Sequence, residues 1–135
     1  MTYPIAQIEG LGPEAARQLK SIGIRTTEKL LEAASSAKGR KGIAARTGLN
    51  ESDLLAWANI ADCMRVKGLG KAKAELLRAA GVSTLRELAQ RNPARLAAAM
   101  EAANADRKRM GIRPSGESVA KLIARAKKLP IKISY

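Results

Sequence analysis

Apolar residues along this chain recur at intervals of three and four positions, and short polar stretches with glycine, serine, threonine or asparagine separate the groups. This spacing places apolar side chains on one face of a helix, whereas a half-buried strand would need strict alternation. After a short helix or turn within residues 2–7, the pattern therefore predicts eight helices. They are expected over residues 14–22, 28–34, 41–47, 51–64, 71–80, 84–91, 93–104 and 117–129.

Polar residues just before these groups indicate where the helices begin. A serine, threonine or asparagine at that position accepts hydrogen bonds from the N–H groups of the first helical turn. Between the helices, residues 35–42 are expected to form a polar connection, and residues 131–135 a short, frayed tail. The expected N-cap residues are Thr26 or Thr27, Asn50, Ser83 and Ser115.

Alanine, leucine, lysine and arginine are frequent, β-branched and aromatic residues are few, and this composition favours helices over strands. The predicted fold class is therefore all-α. Trp57 lies within an apolar stripe, so we expect it in the core rather than as a platform for stacking bases. The residues predicted to form the core are Leu19, Leu30, Leu54, Trp57, Leu77, Leu88, Leu96, Leu122 and Ile123.

An internal repeat with an offset of 58 residues relates the two halves of the chain. Residues 8–31 align with residues 66–89, and 8 of these 24 positions are identical, including the glycines of a Gly-Leu-Gly turn. The last predicted helix of each half also has the same apolar pattern. The repeat predicts two units, 1–65 and 66–135, packed as one compact pseudo-duplicated helical domain.

The second Gly-Leu-Gly turn opens directly into a predicted helix, which makes it a candidate anion site. First-turn N–H groups have no acceptor within a helix, and the helix dipole places partial positive charge there. Lysines surround this turn, so the expected anion is a phosphate; the alternative is a turn that only joins two helices. The candidate phosphate-binding residues are Lys67, Gly68, Leu69, Gly70, Lys71 and Lys73.

The first turn has a different charge environment. Glu9 and Glu14 flank it, and a carboxylate beside the site would oppose a phosphate. We therefore expect the second turn to bind phosphate and the first to be partly structural. The candidate phosphate-binding residues of the first turn are Gly10, Leu11, Gly12 and Arg17.

Basic residues outnumber acidic ones, 25 to 12, which gives a net charge of +13. Residues 1–65 hold 9 basic and 7 acidic residues, whereas residues 66–135 hold 16 and 5. This excess indicates a polyanionic partner, with nucleic acid the first candidate and an anionic membrane surface the second; a merely solvated surface is the alternative. Two basic clusters either add further contacts to the phosphates of a nucleic acid or are solvated loops. They consist of Lys38, Arg40, Lys41 and Arg46, and of Arg107, Lys108, Arg109 and Arg113.

The residues available for catalysis argue against an enzyme. The chain has no histidine, its acidic residues are dispersed, and its serines and single cysteine, Cys63, have no histidine partner. We assign no catalytic residue and no metal ligand. The alternative is a glycosylase-like reaction in which a lysine near Gly70 forms a Schiff base with an abasic sugar, but no residues nearby indicate a pocket for a base. One cysteine, no long apolar run and no signal peptide predict a cytoplasmic protein without a membrane partner.

The two Gly-Leu-Gly turns, each followed by Ala-x-x-Leu and then Gly-Ile or Gly-Val, resemble the helix-hairpin-helix module. That resemblance implies sequence-independent binding of the nucleic-acid backbone by hairpin N–H groups, often beside a monovalent cation held by hairpin carbonyls. Nearly the whole chain is also similar to a bacterial tandem helix-hairpin-helix family, domain of unknown function 4332. Further points of likeness are Trp57–Asp62 and Ala126–Pro130, while Lys73 replaces an aromatic residue common in that family. The residues that carry the first resemblance are Ile8, Gly10, Leu11, Gly12, Pro13, Ala16, Leu19, Gly23 and Ile24, then Val66, Gly68, Leu69, Gly70, Ala74, Leu77, Gly81 and Val82.

Together these features predict a non-enzymatic, sequence-independent DNA-binding protein that grips the phosphate backbone of a duplex. No cluster of arginine, asparagine and glutamine indicates base reading, and few aromatic residues are present to stack on single strands. The alternatives are an interaction module whose basic face docks an acidic protein, and a binder of structured RNA. No cofactor is expected beyond an optional monovalent cation at a hairpin, and the sequence leaves the oligomeric state open.

Overall fold

The computed structural model describes residues 2–107 and 114–135 of the chain and confirms the all-α fold. Eight α-helices follow a short 3-10 helix at Ile5–Gln7; outside them, the described residues form one isolated antiparallel bridge, between Pro4 and Thr26. None of the described helices is long and apolar enough to cross a membrane. The α-helices are α1 (Pro13–Ser21), α2 (Thr27–Ala34), α3 (Ala37–Thr47), α4 (Glu51–Cys63), α5 (Gly70–Ala79), α6 (Leu85–Gln90), α7 (Pro93–Arg107) and α8 (Gly116–Lys128).

Side-chain caps fix where most of these helices begin, and one predicted cap is wrong. Thr84, not Ser83, caps α6, and its hydroxyl oxygen accepts a hydrogen bond from the N–H of Glu87 at 3.1 Å. Thr84 takes this role because α6 begins immediately after it and its backbone is extended, as an N-cap residue requires. The confirmed caps are Thr26 on α2, Asn50 on α4 and Ser115 on α8.

Helix α3 begins at Ala37, so the predicted polar connection over residues 35–42 is wrong. The hydroxyl of Ser36 accepts a hydrogen bond from the N–H of Gly39 at 3.0 Å and starts the helix directly after α2. Gly39 permits this tight corner, because a Cβ at that position would overlap the carbonyl oxygen of Ala33. Two glycines lower the helix propensity of this stretch, which is why the sequence pattern missed its first turn.

Helix α4 lies at the centre of the fold and packs against α2, α3 and α6. Every residue from Trp57 to Cys63 is buried, as expected for a helix surrounded by other helices. Helix α8 packs against α6 and α7, and α7 packs against α5. The buried apolar side chains form one cluster that extends from Ile5 to Ile133, and all the predicted core residues belong to it.

Glycine turns precede α1 and α5, and their backbone hydrogen bonds recur at the same offset along the chain. We call residues 8–12 the first turn and residues 66–70 the second turn. Gly10 and Gly68 have φ angles of 84° and 87°, in the left-handed region that favours glycine. The paired hydrogen bonds are Leu11 N–H to Ile8 O (3.2 Å) and Leu69 N–H to Val66 O (3.1 Å), then Ile24 N–H to Leu19 O (3.0 Å) and Val82 N–H to Leu77 O (2.8 Å).

The tail of residues 131–135 is bound to the first half of the chain, which corrects the expectation that it frays. The N–H of Ser134 donates to Ser35 O at 2.7 Å, and the guanidinium of Arg40 donates to Ser134 O, also at 2.7 Å. Arg40 is only 5% exposed, and it also donates to the Ala34 carbonyl oxygen at 2.9 Å. Arg40 is therefore a buried structural residue and not part of a solvated basic cluster, because backbone carbonyls satisfy its guanidinium.

Candidate nucleic-acid interface

Helices α1 and α5, which follow the two turns, are the two α-helices in the described ranges without a side-chain cap. Their N-cap residues, Gly12 and Leu69, carry no side-chain oxygen. First-turn N–H groups that no side chain caps are open to water or to a ligand. The other α-helices are capped by Thr26 (α2), Ser36 (α3), Asn50 (α4), Thr84 (α6), Asn92 (α7) and Ser115 (α8).

The second turn presents its backbone to solvent while its apolar residue anchors it. Leu69 is 3% exposed, whereas Gly68 is exposed and Gly70 is half-buried. Both glycines have positive φ, 87° and 68°, which residues with a side chain rarely adopt. The first-turn N–H groups of α5 therefore lie beside exposed, unshielded backbone, where an anion can approach.

Three lysines predicted from the sequence surround the second turn. Lys67 and Lys71 are exposed, and their ammonium groups form no hydrogen bond or ion pair with any residue that the structure describes. Lys73 is half-buried and donates a hydrogen bond from Nζ to the carbonyl oxygen of Gly68 at 3.1 Å. An ammonium group has three donors, so Lys73 can hold the turn and still contact an anion. No acidic residue occurs in residues 63–74.

A fourth cation, Arg125 of α8, reaches the second turn from a distant part of the chain. Its Nη1 donates to the carbonyl oxygen of Lys67 at 2.7 Å. A Cβ on Gly68 would lie 2.9 Å from the same Nη1, so a side chain there would displace the Arg125 guanidinium, and the φ angle of 87° also favours glycine. Sequence reasoning missed Arg125, because a contact between residues 58 positions apart leaves no local pattern. The basic last turn of α8 was the available signal.

Two carbonyl oxygens of the second turn receive hydrogen bonds from cationic side chains. Lys67 O accepts from Arg125, and Gly68 O accepts from Lys73. The resemblance to the helix-hairpin-helix module implies a monovalent cation held by carbonyl oxygens of this kind. In this chain, the side chains of Arg125 and Lys73 supply positive charge at that position. Both charges also add to the positive potential at the start of α5.

The first turn has fewer free donors and lies among paired charges. Gly12 has a φ of −72°, and Pro13 at the first position of α1 has no N–H. Arg17, a predicted phosphate ligand, pairs with Glu14, and the side-chain amide of Gln18 donates to the same carboxylate at 3.2 Å. The first turn therefore has a less positive environment than the second.

Arg78 links the end of α5 to the first turn. Its Nη1 donates to the backbone oxygen of Glu9 at 3.3 Å and lies 3.7 Å from the Glu9 carboxylate. The helix that carries the second turn at its start thus contacts the first turn at its end. Since α5 has 10 residues, it spans about 15 Å between the two turns.

The members of the two predicted basic clusters lie in different surroundings. In the first cluster, Arg40 is buried and the other members are exposed on α3. In the second, Arg107 is the last residue of α7. The exposed members of the first cluster are Lys38, Lys41 and Arg46, and the members of the second that lie outside the described residues are Lys108, Arg109 and Arg113.

Cys63, the single cysteine, is buried in α4. Burial raises the pKa of its thiol to about 12, and the charges of Asp62 and Glu87 act in the same direction. A thiol with this pKa is protonated at neutral pH, so Cys63 is not an activated nucleophile. Within residues 2–107 and 114–135, no group of three or more histidine, cysteine, aspartate or glutamate side chains could hold a metal ion.

Comparison with protein families identifies the group of proteins that this chain resembles. The family described as Domain of unknown function (DUF4332) matches residues 9–129, which is most of the chain. The comparison with curated proteins gives no match, and neither does the comparison with solved structures. The family description names no ligand, so the chemistry of the second turn is the guide to function.

Proposed function

This chain belongs to the family described as domain of unknown function (DUF4332), and from its residues we propose a non-enzymatic, sequence-independent DNA-binding protein. In this proposal, the two turns and their flanking helices are tandem helix-hairpin-helix units. The second turn binds a backbone phosphate through the N–H groups at the start of α5. Lys67, Lys71 and Lys73 add the attraction of their charges.

The missing caps at α1 and α5 carry this proposal. Every other α-helix in the described ranges begins with a side chain that satisfies first-turn N–H groups, and both exceptions follow a Gly-Leu-Gly turn. An uncapped helix start beside positive charge is suited to an external anion. The net charge of +13 favours a polyanion over a single phosphate ion.

These contacts suit a duplex gripped by its backbone. N–H groups and lysines reach phosphate oxygens, which carry no sequence information directly. Trp57 is buried, so few aromatic side chains remain for stacking on single-stranded bases. A duplex of RNA presents phosphates as well, in a different geometry, and is therefore compared with DNA in the test.

Fluorescence anisotropy with random-sequence DNA duplexes at several salt concentrations tests the proposal. If about six cationic groups engage phosphates, affinity falls roughly 10³-fold between about 50 and 200 mM salt, equally for unrelated sequences. Lys71→Glu combined with Lys73→Glu should abolish binding, because the reversed charges repel phosphate beside the N–H groups of α5. An unchanged affinity of this variant for duplex DNA would contradict phosphate binding at the second turn.

A matched control reverses the charge of Arg86 and Lys127, which line a separate cleft described below. Its duplex affinity should stay well above that of the lysine variant, and both variants should unfold thermally near the wild-type temperature. Tighter binding to the RNA duplex would assign the site to structured RNA. No binding to any nucleic acid at about 100 mM salt would mean that the turns only join helices.

A further inference from the structure

A cleft of about 730 Å³ lies between α6, the end of α8 and the tail. We call it the tail groove. Leu85 and Ala89 of α6 line one wall, and alternate residues of the tail line the other. Its volume falls in the range of about 300–1,000 Å³ that ligand sites in proteins occupy. The tail residues on the second wall are Ile131, Ile133 and Tyr135.

Two apolar side chains on the tail wall remain open to solvent. Ile131 is 72% exposed and Tyr135 is 74% exposed, and they are the large hydrophobic side chains found exposed in the described part of the chain. Hydrogen bonds at Ser134 hold the tail in place, so this exposure does not come from fraying. Exposed apolar side chains on a fixed wall indicate a contact surface.

Some charged side chains at the groove have hydrogen-bond partners within the protein, and others do not. The Asp62 carboxylate accepts a hydrogen bond from Arg65 at 2.7 Å, and the Glu87 carboxylate accepts one from the hydroxyl that caps its own helix, at 3.2 Å. Arg86 and Lys127 also line the groove but form no hydrogen bond or ion pair with a described residue. Since Asp62 is paired with Arg65, the groove has two positive charges, on Arg86 and Lys127, against the one negative charge of Glu87. This excess of positive charge complements carboxylates.

We propose that the tail groove binds a short peptide segment in which aliphatic side chains are flanked by carboxylates. The aliphatic side chains pack between Ala89 and the tail, and the carboxylates pair with Arg86 and Lys127. The groove is lined by six aliphatic side chains and one aromatic side chain, Tyr135. This lining favours a peptide over single-stranded nucleic acid, whose successive bases need several aromatic side chains to stack on. A second copy of this chain is a poor occupant, because each copy carries a charge of +13.

The groove is separate from the second turn. On α8, Arg125 contacts the second turn and Lys127 lines the groove. Two residues apart on an α-helix, side chains differ in direction by about 200°, so the two sites lie on opposite sides of α8. The peptide proposal therefore does not depend on DNA binding, and both ligands can bind together.

A displayed library of random 12-residue peptides tests the proposal with the full chain as bait. The selection is repeated with Ile131→Ser, which removes an exposed apolar side chain, leaves the hydrogen bond from the Tyr135 hydroxyl to Asn59 Oδ1 in place, and should keep the thermal unfolding of the wild type. Wild-type selection should enrich peptides that combine leucine, isoleucine or valine with aspartate or glutamate. Synthetic versions should bind at least about tenfold more weakly to the serine variant.

Charge is tested separately with Arg86→Glu/Lys127→Glu, for which we also expect a loss of about tenfold or more in peptide affinity. Lys71→Glu/Lys73→Glu has the same change in net charge at the second turn and should bind the peptides within about threefold of the wild type. Enriched peptides without acidic residues, equal affinity for the serine variant, or equal loss in the control would each overturn the proposal. So would single-stranded DNA that binds this groove in place of any peptide.

Discussion

Arg40 is a buried cation whose partners come from widely separated parts of the chain. Its guanidinium donates to Ala34 O, at the end of α2, and to Ser134 O in the tail. The carbonyl end of a helix carries partial negative charge, so this position favours a cation. The sequence suggested a surface residue, since Arg40 lies between other basic residues; its burial depends on a tail contact that no local pattern encodes.

Arg40→Ala is expected to lower the free energy of unfolding by about 2–4 kcal/mol, because two carbonyl oxygens lose a charged donor. Urea denaturation followed by circular dichroism measures this change. Lys38→Ala, at an exposed position of the same helix, should change stability by less than about 0.5 kcal/mol. Equal effects of the two substitutions would contradict the structural role of Arg40.

Asp62 introduces a pH dependence into the core. Burial raises the pKa of its carboxyl above the ordinary value of 3.8, although the hydrogen bond and charge of Arg65 act in the opposite direction. The folded protein therefore holds this proton more tightly than the unfolded chain does. The stabilisation from protonated Asp62 is complete below the unfolded pKa and is lost as the pH rises through the folded pKa.

Asp62→Asn should remove this dependence. As the pH rises from about 3.8 towards neutrality, the free energy of unfolding of the wild type should fall relative to that of the variant. Denaturant titrations at a series of pH values give both curves. If the two curves stay parallel over this range, the burial of Asp62 does not control its protonation.

Among the elements, α3 contains a matched pair of glycines. A Cβ at Gly39 would overlap the carbonyl oxygen of Ala33, whereas a Cβ at Gly42 would meet nothing within 4 Å. Gly39→Ala should therefore destabilise the protein, because the corner between α2 and α3 must open. Gly42→Ala should stabilise it by about 0.5–1 kcal/mol, the usual gain of alanine over glycine within a helix.

Thermal and urea unfolding of the two variants measure this difference directly. The two substitutions add the same methyl group to the same helix, so propensity alone would predict the same sign for both. Two stabilising substitutions would contradict the close contact between Gly39 and Ala33 at this corner.

The second turn makes a further prediction, which concerns bound ions. Because Arg125 and Lys73 already donate to its carbonyl oxygens, duplex binding by the wild type should not require an alkali cation. Affinities in potassium, sodium and tetramethylammonium salts of equal ionic strength should agree within about twofold. Arg125→Ala should bind more weakly and lower the salt slope by about 1.

Anisotropy titrations in the three salts measure both effects, with Arg95→Ala as a control of equal charge. Loss of wild-type binding in tetramethylammonium alone would show that a small cation occupies the turn despite these side chains. An Arg125→Ala affinity equal to that of the control would remove Arg125 from the site.

Apolar periodicity predicted most helices well, because each packs one face on a shared core and that face repeats in the sequence. The failures have local causes. The start of α3 depends on a cap at Ser36 and on the space at Gly39, and neither changes the apolar pattern. The choice of Thr84 over Ser83 depends on backbone angles that two adjacent hydroxyl residues do not distinguish.

At the scale of the whole molecule, one apolar core joins two halves that are both positively charged but differ in the size of their net charge. Central helix α4 contacts helices from both halves, while 16 of the 25 basic residues lie in residues 66–135. The lysines of the candidate site could be predicted, because they lie beside the turn in the sequence. Arg125 and the tail groove could not, because residues far apart along the chain assemble them.

The tail contact also has a consequence for biosynthesis. Ser134 and Ser35 are 99 positions apart, whereas α2, α3 and α4 follow one another closely and pack together. On the ribosome, these three helices can associate long before residue 134 is made, and contacts between distant residues form late. The nascent chain therefore passes through a stage in which Arg40 has only its α2 carbonyl as a partner. The contact between Arg40 and Ser134 is therefore expected to form after these three helices have packed together.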